Sequence, residues 1–119
     1  MRVFVFGSNL GGRHGRGSAR EAKEKHGAEY GVGAGRTGNA YAIPTKDTTL
    51  RVLPLDVISS HVKVFLAYAS EHPDMEFDVV AVGCGLAGYS PSQIAPMFYG
   101  ATDNVHLPQD FLGTIRATA

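Results

Sequence analysis

The sequence predicts an α/β fold: a three-layer α/β/α domain around a mixed, largely parallel sheet, spanning residues 1–119 as one domain. Three observations predict it. Apolar strand-like runs and helix-like stretches alternate as β-α-β-α-β-α-β, the order that builds a mostly parallel sheet covered by helices. Residues 55–69 carry a single apolar stripe at helical period. Two glycine-rich loops follow strand-like runs, and ligands in such folds sit beyond the carboxyl ends of the strands.

Val3-Phe4-Val5-Phe6 is a short apolar run closed by Gly7, as a buried strand should be. Gly7 to Gly17 reads as loop. Ser18 is placed to N-cap a helix running to about His26, with Glu21 completing a capping box and Gly27 as the stop. Its Arg20/Glu24 and Glu21/Lys25 pairs are four apart, which marks a wet face. Tyr30 to Asn39 reads as glycine-rich loop, and Ala40-Tyr41-Ala42-Ile43 as a second strand stopped by Pro44.

Pro54 opens the clearest helix. Leu55, Ile58, Val62, Phe65, Leu66 and Ala69 share one face, a core stripe with no chemistry implied. Phe77 to Val82 is the third strand, ending at Gly83-Cys84-Gly85. Ser90-Pro91 has the form of an N-cap and first helical residue, and Pro96 implies a kink or restart. Asn104 to Leu107 is a last short strand.

A length of 119 residues with 44% hydrophobic and 18% charged side chains excludes a mainly disordered chain. No apolar run reaches the ~20 residues of a membrane span. Met1-Arg2-Val3-Phe4 begins a strand pattern and not a signal peptide, and the lone Cys84 has no disulfide mate, so a cytoplasmic location is expected. Zero net charge hides an asymmetry. Residues 1–36 hold seven basic side chains against three acidic, and the remainder holds four against eight. Ten of the fifteen glycines fall between Gly7 and Gly38. Positive charge beside bare backbone is what an anion-binding loop needs, although a solvated flexible surface has the same composition.

Two familiar motifs fail on context. Gly33-Ala34-Gly35-Arg36-Thr37-Gly38 spells G-x-G-x-x-G, but it follows a helix and precedes a strand, the reverse of a dinucleotide turn. Gly7 to His14 has the glycine spacing of a phosphate-binding P-loop, but Arg13-His14 replaces Lys-Ser/Thr, which speaks against a kinase or ATPase. The five histidines and Cys84 show no paired ligand spacing, so no metal and no cofactor are expected. Cys84 between glycines reads as a small thiol lining a loop before it reads as a nucleophile. His14 in the first loop either donates to a phosphate or is a surface histidine.

Several segments together resemble the macro domain superfamily, whose members bind ADP-ribose. Gly15-Arg16-Gly17-Ser18-Ala19 running into a helix is similar to the branch that removes terminal ADP-ribose from carboxylates. Ala42-Ile43-Pro44-Thr45-Lys46 and Gly83-Cys84-Gly85-Leu86 are similar to the same branch. Phe4 to Leu10 also looks like small macro-like proteins of bacteriophages.

The resemblance implies that backbone N–H groups of both glycine loops hold a diphosphate and the distal ribose. The expected binding residues are Gly7, Ser8, Asn9, Leu10, His14, Gly15, Arg16, Gly17 and Ser18, then Gly83, Cys84, Gly85, Leu86, Ala87, Gly88 and Tyr89. Asn9 would bond ribose hydroxyls or satisfy its own turn, and Arg16 would pair with phosphate or stay solvated. Tyr89 would wall the ribose or join the core. Lys46 matches the branch's catalytic lysine, which attacks the anomeric carbon; the alternative is an exposed Lys46-Asp47 turn. The branch's aspartate is replaced by Ala87; Asp47 or Asp56 would have to substitute, and nothing in the sequence places either carboxylate beside Lys46.

The expected function is binding of ADP-ribose or a related NAD-derived nucleotide, with hydrolysis of ADP-ribosyl linkages through Lys46 if there is turnover. Two alternatives stand beside it: a nucleotide-sequestering protein without chemistry, and nucleic-acid binding by the Arg/Gly-rich N-terminal third. Zero net charge and sparse lysines and arginines speak against nucleic acid as a partner.

Overall fold

The computed structural model describes residues 1–118. Its elements follow in the order β1 (Arg2–Asn9), α1 (Gly17–Lys25), β2 (Gly35–Thr37), β3 (Ala40–Lys46), α2 (Leu55–Ser70), β4 (Glu76–Val79), α3 (Pro91–Ile94), β5 (Val105–His106) and α4 (Gln109–Thr118). The sheet runs β2-β3-β1-β4-β5. β1 pairs in parallel with β3 and β4, β4 pairs in parallel with β5, and β2 alone is antiparallel, against β3. The α/β class and the mixed, largely parallel sheet are as the sequence predicts.

The two-residue period of the strands divides the core into two layers. Val3 and Val5 of β1, Tyr41 and Ile43 of β3, and Phe77 and Val79 of β4 join Ile58, Val62, Phe65 and Ala69 of α2 in the larger cluster. Ile94 of α3 and Phe111 of α4 complete that side. Phe6, Ala40 and Ala42 face the other way and meet Ala19 and Ala22 of α1. Alanines on both surfaces leave room for the Phe6 ring between the sheet and α1. Among the described residues no helix is long and apolar enough to cross a membrane.

Local departures from expectation have physical causes. Ser18 is not the N-cap of α1. Arg16 holds that place in extended conformation without a side-chain cap, because Gly17 enters the helix at φ +58° and draws Ser18 into the first turn. The Arg20–Glu24 pair forms at 2.7 Å. Pro44 does not stop β3. Its register partner is Ser8 of β1, while β2 ends its pairing at Ala42, so no β2 carbonyl needs the N–H that proline lacks.

β4 stops at Val79, three residues earlier than predicted; after the Val80 amide bonds the Val5 carbonyl at 3.0 Å, the chain folds on itself through Val82 N–H to Val80 O at 2.7 Å. β2 falls inside a segment read as loop, and α4 was not anticipated. Ser90 does cap α3, its amide donating to Gln93 Oε1 at 2.9 Å, and Pro96 restarts the chain as a 3-10 turn over Ala95–Phe98.

Candidate functional site

β1 and β4 point their carboxyl ends the same way, so the loops leaving them meet. Between them lies a cleft of about 780 Å³, within the range of small-molecule sites. Gly7, Ser8 and Asn9 at the end of β1 line it, with Gly15, Arg16, Gly17 and Ser18 leading into α1. Gly83, Cys84, Gly85, Leu86 and Ala87 line the opposite wall, and Lys46 stands at the end of β3. Of the residues expected from the sequence, Leu10, His14, Gly88 and Tyr89 are not on the lining.

The second loop is held by its own turns. Gly88 N–H bonds Gly85 O at 3.0 Å, Tyr89 N–H bonds Gly83 O at 2.9 Å, and the Tyr89 hydroxyl donates to Leu53 O at 2.7 Å. Tyr89 thus anchors the loop to the segment before α2 and walls nothing in the cleft. Within this frame the amides of Gly85, Leu86 and Ala87 have no partner among the described residues. The first-turn amides of α1, at Gly17, Ser18 and Ala19, have no partner in the helix and no side-chain cap. Both sets border the same cleft.

The first loop is equally fixed. Asn9 donates from Nδ2 to Arg13 O and accepts at Oδ1 from Arg13 N–H, both at 2.9 Å, so its side chain shapes the loop. Ser8 Oγ donates to Gly33 O. A Cβ on Gly33 would lie 2.1 Å from Asn9 O, and one on Gly12 would lie 2.2 Å from the Gly31 carbonyl carbon, so the two glycine-rich segments touch backbone to backbone. The G-x-G-x-x-G stretch is therefore a packing surface and edge strand. His14 is fully buried with neither ring nitrogen hydrogen-bonded, its ring edge-on to Phe6 at 5.3 Å and to Tyr30 at 6.2 Å.

Charge in the cleft is lopsided. Arg13, Arg16 and Lys46 line it, and among the described lining residues Asp110 is the one carboxylate. Asp47 is committed elsewhere: its Oδ1 accepts from Thr49 N–H at 2.8 Å, Thr49 Oγ1 at 2.7 Å and Arg51 N–H at 3.0 Å. Those bonds, the Thr49 hydroxyl first, hold its pKa below the ordinary value. Asp56 lies in the first turn of α2, off the cleft. Burial, and then the charge of Asp110, push the Cys84 thiol up, which keeps it protonated and poorly nucleophilic. Among the described residues no group of three or more His, Cys, Asp or Glu side chains could hold a metal ion.

Sequence reasoning missed Arg13, Ala19, Tyr30, Thr45, Leu50 and Asp110 on the lining, together with Val80, Ala81 and Val82 just past the end of β4. Asp110 had a signal available: Pro108 ahead of Gln109-Asp110, with Phe111 and Ile115 four apart, has the form of a helix start. Tyr30 and Leu50 had none, since each reaches the cleft from a loop whose course is set by tertiary packing. Set against protein-family models, curated proteins and solved structures, the chain matches none of them.

Proposed function

We propose that the cleft binds ADP-ribose or a related NAD-derived nucleotide, with the diphosphate and distal ribose held by backbone amides of its two walls. The observation that carries this is the convergence of unpartnered amides, Gly85 to Ala87 on one side and Gly17 to Ala19 on the other, on a cleft lined by three cations. Amides at a helix start and in a glycine turn present partial positive charge, and Gly17 and Gly85 carry no Cβ to hold phosphate oxygens away. Arg13 and Arg16 add full charges on the side where α1 begins. Nucleic acid is the weaker alternative, because these charges line a concave site and do not form an open basic face.

Lys46, at the carboxyl end of β3, is the group through which we propose any hydrolysis of an ADP-ribosyl linkage runs. Ala87 brings only a methyl group to the wall, and Asp47 is held in its turn, so neither supplies Lys46 with an acid or base. ADP-ribose is expected to raise Tm, by about 2.7 kcal/mol of added stability at a hundredfold excess over Kd. No shift at millimolar ligand overturns the proposal. Lys46→Ala is expected to abolish release of ADP-ribose from a modified carboxylate while the Tm shift persists. Release that survives the substitution rules out the lysine. A wild-type protein that shifts but releases nothing is a nucleotide-holding module.

A further inference from the structure

We propose that Tyr30 is a stacking platform for the aromatic base of the ligand, at the mouth of the cleft. Tyr30 lines the cleft yet is 59% exposed, the most exposed aromatic side chain in the described chain. Burying one face of such a ring against a flat partner removes apolar surface from water at little cost in side-chain freedom. The ring is already held in place. The buried His14 imidazole meets it edge-on at 6.2 Å and 74°, and the Lys23 ammonium stands over it 5.3 Å from the centroid. With Lys23 and His14 fixing the ring, 59% of the residue is still open to solvent at the cleft lining.

The surroundings suit a flat, partly apolar guest. Leu50 and Leu86 also line the cleft and are exposed, at 46% and 62%. Leu50 does so from a left-handed backbone at φ +67°, a conformation disfavoured for leucine. The Asp47 side chain enforces it by gathering Thr49 and Arg51 into one turn. The cleft therefore carries exposed apolar side chains as well as cations and free amides, which fits a ligand that has both a ring system and phosphates. This inference rests on the proposed phosphate-binding role and adds to it which residue reads the base.

Titration calorimetry with two probes separates the two ideas: ADP, and inorganic pyrophosphate, which offers a charged diphosphate without base or ribose. Wild type is expected to bind ADP more tightly than pyrophosphate. Tyr30→Ala should weaken ADP by about tenfold, within the span for losing one base–aromatic stack, and leave pyrophosphate within about twofold. Tyr30→Phe should keep ADP near wild type, since the ring and not the hydroxyl is used. Equal losses for both probes, or no loss for ADP, overturn the platform while leaving phosphate binding intact. If Tyr30→Ala does not fold, the wild-type comparison decides, because equal affinity for ADP and pyrophosphate means no stacked base. If wild type binds neither probe, the phosphate-binding role falls and the platform falls with it.

Discussion

His14 sits where a polar side chain is expensive. Both ring nitrogens are buried without hydrogen-bond partners, between the Phe6 ring of the core and the Tyr30 ring of the cleft. Burial pushes its pKa down, and the Lys23 charge adds to it. In the unfolded chain a histidine takes up its proton near pH 6.5, while the folded ring resists. Below that pH the unfolded state binds more protons, so stability falls as pH falls, by at most about 1.4 kcal/mol per pH unit for one group. Thermal melts between pH 7 and pH 5 should therefore show Tm dropping, and His14→Phe should flatten the slope; a slope equal to wild type contradicts this role. Much of the site was legible from residue types, because glycine after a strand marks where backbone is bare. Asn9 was legible only as a pair of options, and its two bonds to Arg13 show the turn-shaping one. Leu10 and His14 share the same loop but leave the lining: Leu10 is exposed outside it, and His14 turns into the core.

Among the elements, α2 carries the larger core layer. Phe65 is its hub, with ring centroids 5.0 Å from Tyr41, 5.5 Å from Phe77 and 6.4 Å from Phe98, so one side chain ties β3, β4 and the 3-10 turn together. Phe65→Ala should cost about 3–5 kcal/mol, a large share of the stability of a domain this size. Chemical denaturation is the check, and a loss below about 1 kcal/mol would mean the cluster repacks. The apolar stripe made α2 readable because long periodic patterns outweigh local ambiguity. β2 was not readable: Gly35-Arg36-Thr37 has no strand pattern, and it pairs only because the chain returns antiparallel along β3. α4 was hidden by Gly113, Thr114 and Ile115, weak helix formers that packing of Phe111 against the core overrides. Pro44 misled for the opposite reason, since a local rule about proline ignores which neighbour the missing N–H would face.

At the scale of the whole molecule, parallel pairing of β1 with β4 turns two separate glycine segments into one site. Residues that are far apart in sequence, Gly17 to Ala19 and Gly85 to Ala87, reach the same cleft because both loops leave the sheet at the same edge. The sequence's uneven charge has a counterpart here: Arg13 and Arg16 come from the basic N-terminal third, and Asp110 from the acidic remainder. The central physical claim is that those backbone amides, and not side chains alone, take the diphosphate. Titrating ADP-ribose into nitrogen-15-labelled protein and following backbone amide resonances tests it most directly. Saturable shifts concentrated at Gly17, Ser18, Gly85, Leu86 and Ala87 are expected. Saturable shifts confined to other surfaces, with those amides unmoved, would contradict it.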